Sequence, residues 1–499
     1  MLSITLLIVA LSVGHISNAA FQIPEVSVKV LQPKGFEVSI PDEQGIVLFA
    51  FHGKINTALR SAEAGSFSQD IRSATKSRWV FTDNSTPLTP GDILYYWVYV
   101  EHNDGSGVRG YPSIIQTYKV PNQSAEKTNP KTTSSVNPTI ATDECNPTET
   151  TVSGTLKPAQ ICSGQLIFSD EFDTLDFEKW EHENTLAGGG NWEFQWYTNN
   201  RSNSFVKDGA LNIHPTLLSE QYGEGFLTSG TIDLNGGAPA DQCTNAAFYG
   251  CIRSGNGDNI LNPIKSARIR TVDTFSFRYG RIEIRAKTPQ GDWLWPAIWL
   301  MPRYNAYGGW PTSGEIDLLE SRGNLQLSQN GNQIGAQQVS STLHFGPDPN
   351  HNGFLNAHFE KNSNNGYYDT FHDYKLEWSP DSLKFYYDNE LVGTVAPPGG
   401  GFWELGGFQN SGIQNPWSGA SKMAPFDQQF YLIINLAVGG TNGFFPDGVS
   451  NPNGKPWSNT SPTAARDFWN GRNNWLPTWN LNSNDNANFK IDYVRVYAL

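Results

Sequence analysis

No stretch of this chain carries a sustained helical period; its apolar residues fall in short alternating runs, each closed by Gly, Pro, Asn or Asp. Gly280 to Lys287 alternates without a break, and Leu383 to Asp388 reads as a strand entering a turn. Near the start, Val26 to Leu31, Gly35 to Ile40, Ile46 to His52, Arg78 to Thr82 and Ile93 to Val100 repeat the pattern. A period of two puts every second side chain on one face, so each run has one face to bury, and sheets packed on sheets are the economical solution. About seven such runs in the first hundred residues predict a small immunoglobulin-like β-sandwich. The longer remainder predicts a large antiparallel sandwich or jelly roll, with an open face able to hold a polymer. The fold class is therefore all-β, and the 48 Gly, 30 Pro and 16 Trp of the 499 residues fit it.

Between Pro121 and Gln160 the composition turns to Ser, Thr, Asn, Pro and Lys with almost no aromatics, which reads as a flexible linker over 122–160. It separates a head, 21–121, from a body, 161–499. Residues 2 to 13 form a short apolar run followed by small residues through Ala20, as in a secretory signal peptide over 1–20, although no Lys or Arg precedes the run. No later segment reaches the ~18 apolar residues of a membrane span. A secreted, extracellular protein is expected, and four cysteines fit that compartment. Cys243 and Cys251 are close in sequence, which leaves Cys145 and Cys162 as the other pair; the remaining pairings stay open. Sequons stand at Asn84, Asn122, Asn200 and Asn459. The formal net charge of −14 argues against nucleic acid or an anionic membrane as partner and leaves a neutral polysaccharide open. No zinc motif, phosphate loop or nucleotide fingerprint is present, so no cofactor is expected for catalysis.

Residues 314 to 321 read Gly-Glu-Ile-Asp-Leu-Leu-Glu-Ser, three carboxylates inside what alternation marks as a strand. Regular alternation would put Glu315 and Asp317 on one face and Glu320 on the other. A β-bulge with Leu318 and Leu319 as the doubled pair returns Glu320 to the carboxylate face. Each glutamate then stands roughly 6 to 7 Å along the backbone from Asp317 on that face, an arrangement in which long side chains can converge toward the ~5 to 5.5 Å carboxyl separation of retaining glycosidases. In that arrangement one carboxylate attacks the anomeric carbon, the other protonates the leaving oxygen and later activates water, and Asp317 between them keeps their pKa values apart. The plainer account is a strand with a solvated acidic face. The run Trp293 to Pro302, about twenty residues upstream, favours the sugar site because aromatic rings pack on sugar faces. Each of those tryptophans, taken singly, also fits a core position.

The body resembles laminarinase-type members of glycoside hydrolase family 16 in Phe168 to Asp173, Tyr279 to Glu283, Trp295 to Leu300, Glu315 to Glu320, Thr342 to Gly346 and Ile491 to Tyr497. The head resembles carbohydrate-binding module family 39 in Pro33 to Asp42, Phe49 to Lys54 and Gly91 to Tyr99. The whole arrangement resembles the insect and crustacean β-1,3-glucan recognition proteins, also called Gram-negative bacteria-binding proteins. For the body the resemblance implies a concanavalin-like jelly roll with Glu315 as nucleophile, Glu320 as acid/base and Asp317 tuning the nucleophile. It implies that Trp295 and Trp299 line the sugar cleft, that His344 stands beside the cleavage point, and that Asn191, Glu193 and Gln195 form a cleft wall. A core histidine is the plain alternative for His344. A structural calcium ion near Glu171 and Asp492 is a further implication, and oxygen ligands suit that ion. In the head, Asp70, Trp97 and Arg109 match positions that grip triple-helical β-1,3-glucan. Alternation puts Tyr95, Trp97 and Tyr99 on one strand face, which fits either a binding surface or a core.

Many proteins of this kind have replaced the catalytic glutamates and only bind, whereas this chain keeps all three carboxylates. The expectation is a retaining endo-β-1,3-glucanase anchored by its head, acting in innate immune recognition and attack of fungal cell walls. The partners are then β-1,3-glucans such as laminarin and fungal wall, with bacterial surface glycans as further candidates. The alternatives are a pattern-recognition receptor that does not hydrolyse, and a digestive laminarinase.

Overall fold

The computed structural model describes residues 21, 23–31, 34–57, 59, 65–89, 91–103, 107–113, 115–120, 145–237, 241–481 and 483–499. The expected signal peptide, the linker from 122 to 144 and the sequon at Asn122 lie outside those residues. The chain divides into two compact units, Met1–Thr139 and Ile140–Leu499.

The head is a sandwich of two antiparallel sheets. One contains Ser27–Val30, Phe36–Pro41 and Arg78–Asp83; the other orders Phe67–Ile71, Ile46–Ile55, Ile93–Asn103 and Val108–Pro112, with Gln116–Lys119 also pairing to Ile93–Asn103. Alternation decides what is inside. Phe36, Val38 and Ile40 from the first sheet meet Phe49, Phe51, Leu94, Tyr96, Val98 and Val100 from the second in one buried cluster. Tyr95, Trp97 and Tyr99 fall on the opposite, half-exposed face, so the core reading of Trp97 does not hold. Gly110 makes room for one of them, since a Cβ there would lie 1.9 Å from the Tyr99 hydroxyl.

The body packs an eight-stranded sheet on a nine-stranded one. In the first, Phe489–Tyr497 pairs with Gly280–Lys287, Ala210–Ile213 and Leu166–Asp170, which ties the end of the chain into the sheet. In the second, Leu294–Pro302 lies between Phe430–Val438 and Glu315–Ser321, followed by Gln338–His344 and His358–Asn362. Ile298, Leu300, Ile316, Leu343 and Ile434 point into the shared core, so the odd-facing residues of the same strands are left on the outer face.

The linker reading extends too far. Residues 145–160 belong to the body: Thr151–Ser153 pairs with Ser276–Arg278, Val152 is in the core, and the Thr148 hydroxyl donates to the Leu499 carbonyl at 2.8 Å. A polar composition hid a short strand whose partners lie more than a hundred residues away. Cys145–Cys162 and Cys243–Cys251 are disulfide-bonded. Asn84 and Asn200 are exposed, whereas the Asn459 amide donates to the Phe445 carbonyl and accepts from Lys455. Among the described residues no helix is long and apolar enough to cross a membrane.

Candidate active site

The motif strand begins at a glycine for a steric reason. Gly314 has φ +85°, and a Cβ on it would lie 2.9 Å from the Phe426 ring, so the chain can turn into Glu315 only without a side chain there. Along the strand, Glu315 stands opposite His344, Asp317 opposite Thr342, and Glu320 opposite Ser340. Three steps on the motif strand thus meet two on its partner. The same slip appears on the other side, where Asp317 faces Trp299 and Leu319 faces Ile298. This is the expected bulge, and it sends both Leu318 and Leu319 fully into the core. Glu315, Asp317 and Glu320 consequently share the outer face.

Electrostatics separates the three. Burial, the negative charges of Glu315 and Glu320, and a hydrogen bond to Glu315 push the Asp317 carboxyl well above the usual carboxylate range. The protonated form of Asp317 is favoured accordingly, with Glu315 as its acceptor. The Nε2 atom of His344 lies 3.4 Å from Asp317 Oδ2. Desolvation also raises Glu320, reinforced by the charge of Glu315 and opposed by His344, by the Trp295 indole, which donates to Glu320 Oε1 at 3.1 Å, and by Arg322. A raised carboxyl beside a hydrogen-bonded carboxylate is a pairing suited to general acid and nucleophile.

Aromatic groups frame this face. Trp295 stacks on Phe444 with centroids 3.9 Å apart, and Trp299 donates to Asn435 Oδ1 at 2.7 Å with the Arg268 guanidinium 5.1 Å from its ring. His344 is half-buried, not a core residue; it lies beside Phe354 and Trp310, and its Nδ1 accepts from the Asn352 side-chain amide at 2.8 Å. Asn191, Glu193 and Gln195 come together as one network, in which the Glu193 carboxylate accepts from Asn191 at 3.0 Å, Gln195 at 2.6 Å and the Tyr197 hydroxyl at 3.2 Å. Only Asn191 reaches the surface. Gln195 is fully buried and its amide oxygen accepts from the Val438 N–H at 2.7 Å, so it braces the wall instead of meeting a ligand.

Three groups absent from the sequence reading complete the site. The Trp310 indole donates to Glu315 Oε2 at 2.7 Å; its place five residues before Glu315, in a Gly-Gly-Trp-Pro turn, was the available signal. Arg268 and Phe444 come from distant strands and loops, and nothing local marks them.

The calcium expectation does not fit the residues as placed. Glu171 accepts a bidentate pair from Arg495 at 2.8 and 2.7 Å, and Asp492 pairs with Arg285. A divalent ion would have to displace both guanidinium groups.

In the head, Asp70 pairs across Ala50, Ser68 across His52, and His52 across Trp97, which puts Asp70, Ser68, His52 and Trp97 on one face. The His52 ring stacks on Trp97 at 4.1 Å, and the Ser68 hydroxyl hydrogen-bonds His52 Nδ1 at 2.9 Å. Arg109 does not join them. Its cross-strand partner is His102, whose side chain belongs to the other face of the sheet, so alternation turns Arg109 away from Trp97.

Comparison with known proteins agrees with this division. A family model described as a carbohydrate binding domain (family 32), CBM39, matches residues 22–133, and one described as glycosyl hydrolases family 16 matches residues 253–399. A β-1,3-glucan-binding protein of Penaeus monodon is 53% identical over 339 residues, 67% of this chain and 90% of the relative. A β-1,3-glucan-binding protein of Tenebrio molitor is 34% identical over 490 residues, 96% of each chain. A solved laminarinase from Rhodothermus marinus is 25% identical with a TM-score of 0.41, over 67% of this chain and 98% of that one. With its module, its hydrolase-like body and relatives alike over nearly their whole length, the chain belongs to the invertebrate β-1,3-glucan-binding protein family.

Proposed function

We propose that this is a secreted β-1,3-glucan-binding protein that also hydrolyses the polymer as a retaining endo-β-1,3-glucanase. The observation that carries the reading is the bulged strand, which gathers Glu315, Asp317 and Glu320 on one aromatic-framed face, with the Asp317 carboxyl raised by its burial between charged neighbours. Glu315 attacks the anomeric carbon while Glu320 delivers its proton to the leaving oxygen; Glu320 then takes a proton from water, which releases the sugar from Glu315. Hydrogen bonds from Asp317 and Trp310 orient the Glu315 carboxylate for attack. Trp295 holds Glu320 through its indole N–H. The test is reducing-end release from laminarin followed by product stereochemistry. Products of inverted configuration would overturn the double displacement, and undiminished hydrolysis by Glu315→Gln would overturn the assignment of the nucleophile.

A second reading is a pattern-recognition receptor that binds without cutting. The relatives named as binding proteins favour it, as does the separate aromatic face of the head. In both readings the head holds glucan through Trp97, His52 and Asp70, and the protein serves innate immune recognition of fungal walls; a digestive role would instead place its expression in the gut. No release of sugar by the full-length protein, alongside firm capture of insoluble glucan, would decide for the receptor.

A further inference from the structure

Three aromatic residues around one depression of the body adopt a backbone that bulky side chains seldom take: Trp192 with φ +52°, Phe248 with φ +52° and Tyr249 with φ +61°. Such conformations persist only where the surroundings hold them. Here the Cys243–Cys251 disulfide closes the loop, Arg253 donates to the Phe248 carbonyl at 2.7 Å, and the Leu186 N–H donates to the Gly250 carbonyl at 2.9 Å. The result is rings turned outward, with Trp192 50% and Tyr249 73% exposed, next to Ile252 at 48%. The core gains nothing from this arrangement. A loop braced to expose apolar rings is preorganised for a ligand.

The depression has a volume of about 840 Å³ and is lined by Trp192, Tyr249, Ile252, Asn256, Asn259 and Thr441, among others. That size lies within the ~300–1,000 Å³ of small-molecule sites. Ring faces together with amides and a hydroxyl form the surface that a pyranose fits, its C–H face on a ring and its hydroxyls on the amides. Of the lining charges apart from the networked Glu193, Asp258 is paired by Arg466 at 2.6 Å, and the Arg253 guanidinium is engaged by Asn262 Oδ1 and the Phe248 carbonyl, which leaves the rings and amides as the groups open to a ligand. The wall from the carboxylates to this depression is also continuous. Trp295, bonded to Glu320, stacks on Phe444; the loop holding Phe444 runs back to Thr441, whose N–H donates to the Asn191 carbonyl at 2.8 Å, and Asn191 precedes Trp192.

We propose that this depression is a distal site for the same glucan chain that lies on the carboxylate face, taking sugar residues remote from the reacting bond, so that long chains are preferred over short ones. The inference rests on the reading that the carboxylate face holds glucan. Its test is hydrogen exchange of the full-length Glu315→Gln protein with laminaribiose and with laminariheptaose, read on peptides covering 188–194, 246–262, 294–301 and 315–321. The heptaose protects all four regions and the biose only the last two. Tyr249→Ala and Trp192→Ala, truncations of exposed side chains, each weaken heptaose protection at 246–262 about tenfold, the loss of a stacking contact. Protection of 294–301 and 315–321 without 246–262 overturns the distal site alone. Absence of protection in all four regions overturns the occupancy of the carboxylate face as well.

Discussion

The outer face of the head's five-stranded sheet and the outer face of the body's nine-stranded sheet begin from the same device, a strand whose alternate residues are spared from the core. They use it differently. Ile93–Asn103 keeps strict alternation through Trp97, so Tyr95, Trp97 and Tyr99 stand in a row with Leu94, Tyr96, Val98 and Val100 beneath them. The charge on that face stays in water: Asp70 is exposed and pairs with Arg72 at 3.5 Å, an interaction of little energetic weight. In the body the alternation breaks once, at Leu318 and Leu319, and the carboxylates that converge there are crowded and desolvated. A regular strand offers same-face groups about 6.6 to 6.8 Å apart, enough for a flat grip on a polymer. The bulge keeps Glu315 and Glu320, whose partners His344 and Ser340 are four residues apart, on one face, and burial there raises the Asp317 and Glu320 carboxyls.

The largest effect that could break this contrast is chemical. Glu315→Gln is expected to lower sugar release from laminarin by about 10⁴-fold or more, since nothing else on the face can take the nucleophile's place. Capture of insoluble glucan by the head is expected to persist in the same protein. Next in size is the footing of the bulge. Leu319→Ala should cost about 2 to 5 kcal/mol in denaturant unfolding, the range for a fully buried leucine, while Leu391→Ala, at a residue 51% exposed, should cost far less. Equal costs would mean that the doubled leucines do not anchor the carboxylate face. Trp97→Ala comes third, with capture of insoluble glucan weakened about tenfold; unchanged capture would remove the binding half of the comparison.

Much of this contrast was legible in the sequence because it depends on period. The bulge followed from counting, since Glu315 and Glu320 cannot share a face of a regular strand, and the outward row of Tyr95, Trp97 and Tyr99 followed from alternation once burial chose its side. What period cannot give is the side chain that arrives from elsewhere. Gln195 was read as cleft wall, but its amide is spent on the Val438 N–H, a partner 243 residues away. Arg109 failed for a one-residue reason: register with His102 turns it to the far face. The paired state of Glu171 and Asp492 depended on Arg495 and Arg285, reached only through strand pairing.

A smaller prediction concerns the acid. His344 lowers the pKa of Glu320 against the desolvation that raises it. Removing the ring in His344→Ala leaves only the Trp295 hydrogen bond and the Arg322 charge to oppose the raising causes, so Glu320 should hold its proton to higher pH. The alkaline limb of kcat/KM for laminarin should then move upward in pH, because the acid is active while protonated. A limb that moves downward or stays fixed would assign it to another group. No corresponding shift is expected for capture by the head, whose face has no buried carboxyl among the described residues.

The smallest effect tests the protonated state of Asp317 directly. Its folded-state pKa is raised well above the ordinary value, chiefly by burial, whereas in the unfolded chain it returns to about 3.9. Between those two values the folded body holds a proton that the unfolded chain has released. The contribution of Asp317 to stability is therefore fully present below the unfolded pKa and is lost as pH rises through the folded one. Asp317→Asn keeps a donor toward Glu315 and cannot titrate. Its stability relative to the parent, followed by urea unfolding of the body across a pH series, should improve as pH rises through that interval and level off above it. Parallel curves for the two proteins would mean that Asp317 titrates alike in the folded and unfolded chains, and the bulged strand would then hold its carboxylates without the neutral partner that separates it from the face of the head.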